Sequence, residues 1–104
     1  STIPCYNSPM SSTYPDSNMQ NLIEALSTLK SQSELANFLR DLMTDKELED
    51  ISQRWQIVLL LNQGVPYLEI AKQVGVSTTT VTRCALWLHH GKGGYLTALS
   101  RLKK

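Results

Sequence analysis

The stretch Trp55-Gln-Ile-Val-Leu-Leu-Leu61 limits what this chain can fold into more than any other feature. Gln56 is its one polar side chain, and it continues the helical period of Leu48, Ile51 and Trp55. A helix that is apolar nearly all round must be covered on several sides. A chain of 104 residues has few other elements to cover it with. One solution is a dimer whose helices share a core; the other is a central helix wrapped by its own chain. We expect the dimer.

The flanking sequence is also helical. Leu22, Ile23, Leu26 and Leu29 recur at three and four from Asn18 onward. Ser31-Gln-Ser-Glu34 has capping-box spacing before a second helix with Leu35, Phe38, Leu39 and Leu42. Thr44-Asp-Lys-Glu47 repeats that signal before the central helix, and Gly64 marks its stop. Past the glycine-rich hinge Gly91-Lys-Gly-Gly94, a last helix carries Tyr95, Leu96, Leu99 and Leu102. Residues 1–17 are rich in Ser, Thr, Asn and Tyr and are punctuated by Pro4, Pro9 and Pro15. They read as an irregular or disordered arm ahead of one all-α domain, 18–104.

Composition excludes several classes. No apolar run approaches the roughly 18 residues of a membrane span; Ile57 to Leu61 is five. No early basic segment leads into an apolar core as in a secretory signal, and Cys5 and Cys84 are too few for a disulfide scaffold. A cytoplasmic chain with reduced thiols and no membrane partner is expected. His89 and His90 are adjacent, so on a helix they point about 100° apart and cannot chelate together. We expect no metal and no cofactor. The acidic cluster Asp45, Glu47, Glu49 and Asp50 reads as macrodipole stabilisation of a helix start. No phosphate loop, nucleophile elbow or zinc-protease motif is present, so the chain does not read as an enzyme.

The charge is asymmetric. Residues 1–64 carry a net −4 and residues 65–104 a net +5. A basic end suits phosphate neutralisation; it also suits a solvated tail, since Arg101, Lys103 and Lys104 crowd the last four positions. The pattern inside that half is more telling. Ile70 and Val74 give a short helix an inward face, and Ala71 lets a neighbouring helix approach. Pro66 fits that helix's first turn. Gly75 allows a positive φ at the turn, Val76 packs into the corner, and Ser77 can cap a second helix with the stripe Val81, Cys84, Ala85 and Leu88. This is helix-turn-helix spacing over about 66–89. An ordinary αα-corner also accommodates Ala and Gly.

The second helix sharpens the choice. Thr78, Thr79, Thr80 and Thr82 crowd its first turns, where β-branched residues are poor helix formers. Threonine hydroxyls can bond base edges and their methyls can meet thymine methyls. We expect double-stranded DNA as the partner, read in the major groove by a helix running from Ser77 to about His89. Lys72, Tyr67 and Lys92 would sit on phosphates, while Arg83 fits either backbone contact or head orientation. Threonines that are merely exposed are the plain alternative.

These residues resemble the Trp repressor superfamily, and most closely its Trp-repressor-like branch of small bacterial regulators. The resembling stretch runs from about Met19 to Lys104. It is carried by Asp41-Leu-Met-Thr44, Ser52-Gln-Arg-Trp-Gln-Ile-Val58, Gly64, Val74-Gly-Val-Ser-Thr-Thr-Thr-Val-Thr-Arg83, and Gly93-Gly-Tyr95 with Leu99 and Leu102. The resemblance implies an intertwined homodimeric helical bundle that regulates transcription by binding operator DNA. In the Trp repressor, L-tryptophan is the corepressor. Arg54 and Arg83 match the arginines that flank it, and Thr44 and Met43 match a contact stretch. The floor departs from the pattern: Cys84 stands where the repressor has a glycine, and Trp87 where it has a small serine. A vestigial pocket follows, with Trp87 filling or crossing the corepressor position, L-tryptophan not required, and the two arginines paired with carboxylates or helix C-termini. An Arg83–Trp87 cation–π contact at i,i+4 would add roughly 0.5–1 kcal/mol. Two rival functions remain open at this point: a helical protein-interaction adaptor, and an amino-acid sensor with a different ligand.

Overall fold

The computed structural model describes residues 14–102, and these are all-helical, with no strand among them. The helices are α1 (Ser17–Ser27), α2 (Gln32–Leu42), α3 (Asp45–Asn62), α4 (Tyr67–Val74), α5 (Thr78–His90) and α6 (Gly94–Leu102). They divide into two units, one holding α1 and α2 and the other α3 to α6. Residues 1–13, most of the expected arm and Cys5 with it, lie outside the described residues, as do Lys103 and Lys104.

In the first unit, side-chain caps set the helix starts. Asp16 accepts from the Met19 amide at 2.8 Å, so α1 begins at Ser17, one residue ahead of the expected start at Asn18. Ser31 Oγ accepts from the Glu34 amide at 3.1 Å, as its spacing predicts. The Glu34 carboxylate reaches past Ser31 and accepts from the Lys30 amide at 2.7 Å. Neither α1 nor α2 has a buried residue. Their apolar positions Leu22, Ile23, Leu26, Leu29, Phe38 and Leu39 are half-buried, and Leu35 and Leu42 are exposed.

In the second unit, α3 opens on a full capping box. Thr44 Oγ1 accepts from the Glu47 amide at 3.1 Å, and Glu47 accepts from the Thr44 amide at 2.9 Å. Of the acidic cluster, Asp45 and Glu47 lie in the first turn, where the dipole argument holds. Glu49 and Asp50 lie beyond it, and Asp50 pairs instead with Lys46 at 3.2 Å. The helix ends in a Schellman turn: Val65 donates to the Leu60 carbonyl and Gly64 to that of Leu61, with Gly64 at φ +83°.

One face of α3 is then covered by its own chain. Ile57 and Leu60 join Ile70 and Ala71 of α4 and Val81 and Cys84 of α5 in one core, with Leu61, Val65, Val74 and Val76 packed around it. Pro66 precedes α4 rather than entering it, because its ψ of 148° is extended; its carbonyl accepts from the Ile70 amide at 2.9 Å. Gly93, at φ +87°, turns the chain into α6. There the Tyr95 ring meets Trp55 of α3 at 6.0 Å between centroids and 42° between planes.

Ile70 is fully buried and Leu68, two residues earlier, is 66% exposed. Ile70→Ala should lower unfolding free energy by roughly 2–5 kcal/mol. Leu68→Ala should change it by no more than about 0.5 kcal/mol. Chemical denaturation of the two variants measures the difference, and equal losses would contradict this packing.

Candidate nucleic-acid interface and the adjoining cleft

The turn between α4 and α5 is built from the residues that the sequence singles out. Gly75 adopts φ +84° and ψ 39°, a conformation that costs a side chain but not a glycine. Its amide and that of Val76 both donate to the Ala71 carbonyl, at 2.9 and 3.0 Å. Ser77 caps α5, with Oγ accepting from the Thr80 amide at 3.2 Å. Val81, Cys84, Ala85 and Leu88, the predicted stripe, are all buried. With that stripe inward, Thr78, Thr79 and Thr82 are exposed, together with Ser77 and Arg83. Thr80 differs: it is half-buried, and its Oγ1 pairs with Ser77 Oγ at 3.2 Å. Lys72 in the last turn of α4, Tyr67 at its start and Lys92 beyond α5 are exposed.

Beside this surface lies a cleft of about 490 Å³. Asp50, Gln53, Arg54 and Ile57 of α3 form one wall, and Thr80, Arg83, Cys84 and Trp87 of α5 form the other. Val76 and Tyr95 complete it. Both walls follow helical spacing, so one stripe of each helix faces the same space. Cys84 is 5% exposed, and burial pushes its thiol above the ordinary value. The charges of Arg54 and Arg83 pull it part of the way back.

Three comparisons bear on this arrangement. The family model described as Trp repressor protein matches residues 17–103. The chain belongs to the Trp repressor family. It thereby joins DNA-binding regulators in general. The uncharacterised protein YerC of Bacillus subtilis (strain 168) is 31% identical over 86 residues, 83% of each chain. A TrpR-like protein from Eubacterium eligens superposes with a TM-score of 0.80 at 31% identity, covering 88% of this chain and 94% of its own. A Staphylococcus aureus protein, provisionally described as a Trp repressor, gives 0.80 at 30%, covering 91% and 95%.

Against the Trp repressor pattern, the structure brings Arg54, Arg83, Cys84 and Trp87 together in one cleft. It does not bring Met43 or Thr44 into it, and the Thr44 hydroxyl is occupied by its cap. Trp87 forms part of the wall and remains 56% exposed, so in the single chain the cleft is open rather than crossed. Among the described residues Arg83 makes no ring contact with Trp87, and neither arginine makes an ion pair or hydrogen bond. The single chain thus shows neither the carboxylate nor the helix C-terminus partner expected for them, and Asp50 on the same wall pairs with Lys46 at 3.2 Å. Sequence reasoning passed over Asp50, Gln53 and Tyr95 as cleft residues. The first two stand at helical spacing from Arg54 and Ile57 and were legible; Tyr95 depends on how α6 returns to α3.

His89 and His90 lie edge to face at 6.5 Å, and no group of metal-binding side chains occurs among the described residues. No helix among them is long and apolar enough to cross a membrane.

Proposed function

We propose that this protein is a cytoplasmic transcriptional repressor, a binding protein rather than an enzyme. It acts as a homodimer and reads double-stranded DNA with α5 in the major groove. One observation carries the reading. The core takes Val81, Cys84, Ala85 and Leu88, and what remains outward on the first turns is Thr78, Thr79 and Thr82. Threonine is a poor choice for an exposed helix if stability alone is at stake. Its hydroxyl and methyl suit base edges. Ser77 and the open N-terminus of α5 supply amide groups toward phosphate, and Lys72, Tyr67 and Lys92 add side chains that position without specifying.

The dimer is supported by what the single chain fails to bury. Helices α1, α2 and α6 contribute no buried residue, although each has an apolar face. Leu35, Leu42, Leu86, Leu96 and Leu102 are exposed. In this reading a second copy covers them, since burial of apolar surface drives association. L-tryptophan is not required in this reading, because Cys84 fills a floor that the repressor leaves to glycine. The open cleft with two unpaired guanidinium groups favours one rival, an amino-acid sensor whose ligand is not tryptophan.

Three measurements test these statements. In a shift assay on promoter fragments, Thr79→Ala should lose sequence preference, whereas Lys72→Ala should weaken all sequences alike and flatten the salt dependence. If neither variant alters binding, the interface is elsewhere. Sedimentation of the free protein should give twice the protomer mass, and a compact protomer at micromolar concentration would remove the dimer. A thermal-shift screen of the common amino acids should show no gain with L-tryptophan; a gain that grows with excess of another amino acid would establish the sensor instead.

A further inference from the structure

The four threonines of α5 are not equivalent. Successive helical residues are turned by about 100°, so positions 80, 83, 84 and 87 share one stripe and 79, 82 and 86 share another. The first stripe lines the cleft and the second faces away from the core. Thr80 belongs to the first stripe. It is half-buried where Thr78, Thr79 and Thr82 are exposed. Its hydroxyl is already engaged, with Oγ1 3.2 Å from Ser77 Oγ. That same Ser77 oxygen accepts from the Thr80 amide at 3.2 Å. Two side-chain oxygens and one amide thus close a small ring at the start of α5.

From this we infer that Thr80 is a positioning residue of the reading helix and not a reader of bases. The inference rests on the DNA-binding reading above and divides its threonines. Without a partner, the Ser77 hydroxyl is free to leave its capping rotamer, and the first turn frays. With Thr80 Oγ1 beside it, the cap is held and the backbone carrying Thr78 and Thr79 keeps one geometry. Thr80 then acts on every DNA sequence equally, because it fixes the approach of the helix rather than a contact to one base pair.

Thr80→Val removes the hydroxyl and keeps the branched shape; Thr80→Ser keeps the hydroxyl. Two readouts decide. Selection from a randomised DNA pool should return the wild-type base preference for Thr80→Val, with affinity for all sequences lowered roughly two- to tenfold, as expected for one lost hydrogen bond. Thr80→Ser should restore the affinity. In the free protein, amide exchange at Thr80 should quicken in the valine variant and return to normal in the serine variant. A changed preference at one base position would make Thr80 a reader and overturn the inference, and so would unchanged affinity together with unchanged exchange. If the wild-type protein itself shows no preference among DNA sequences, the DNA reading fails. The exchange measurement then still stands or falls on the cap alone.

Discussion

The packing of Val81 and Cys84 against Ile57 and Ile70 is the contact on which the rest of the second unit depends. It fixes the rotation of α5 about its own axis. Once that rotation is set, every other side chain of the helix has its direction at about 100° per residue. Thr79 and Thr82 are turned outward, and Thr80, Arg83 and Trp87 are turned to the cleft. The turn residues serve this docking. Ala71 is small where α5 approaches, and Gly75 takes the left-handed conformation that lets three residues reverse the chain. A slip of one residue in the stripe would swing the threonines by more than a quarter turn. The apolar core and the outward face are therefore one design, read from two sides.

Electrostatics in the cleft follow from the same rotation. The stripe that buries Cys84 brings Arg83 to the rim, and α3 supplies Arg54 opposite. Two guanidinium groups then act on a thiol that burial pushes above its ordinary value, and their charge pulls it part of the way back. Asp50 lines the same cleft and pairs with Lys46 at 3.2 Å rather than with either arginine. Both arginine side chains are exposed to solvent, where repulsion between them is screened. In the Trp repressor pattern the matching arginines flank the bound tryptophan. Under the proposed reading, Cys84 would alter the floor of that pocket and leave the two arginines in place.

Much of this was legible in the sequence because it is local. The caps at Ser31, Thr44 and Ser77, the stop at Gly64 and the turn at Gly75 are each decided within a few residues. The buried stripe of α5 was legible because periodicity alone sets it. What was not legible needed distance or competition. Asp16 was hidden among the polar residues of the arm until its bond to the Met19 amide was seen. Glu34 chose the Lys30 amide over that of Ser31, two acceptable donors one residue apart. Trp87 was expected across the cleft, yet a side chain at the edge of a stripe can serve as wall or as plug with the same spacing. Thr80 stood in a run of like residues, and only its depth and its bond to Ser77 separate it from its neighbours.

The uneven burial between elements explains why the proposed reading head and the proposed dimer belong together. Helices α4 and α5 are satisfied by α3 within one chain, so the head has its own core. Helices α1, α2 and α6 have apolar faces and no buried residue, so in the proposed dimer they are the surfaces a partner copy would cover. Hydrophobic burial is the dominant favourable term in both folding and association. Under the proposed reading such a chain would complete its remaining core by pairing, and the head would be carried along with its own internal geometry. Two such heads on one paired body have a defined separation, which is the property that reading two half-sites of a duplex demands. The same helices that leave the isolated chain underpacked are therefore the ones that would convert a weak single contact into a spaced pair.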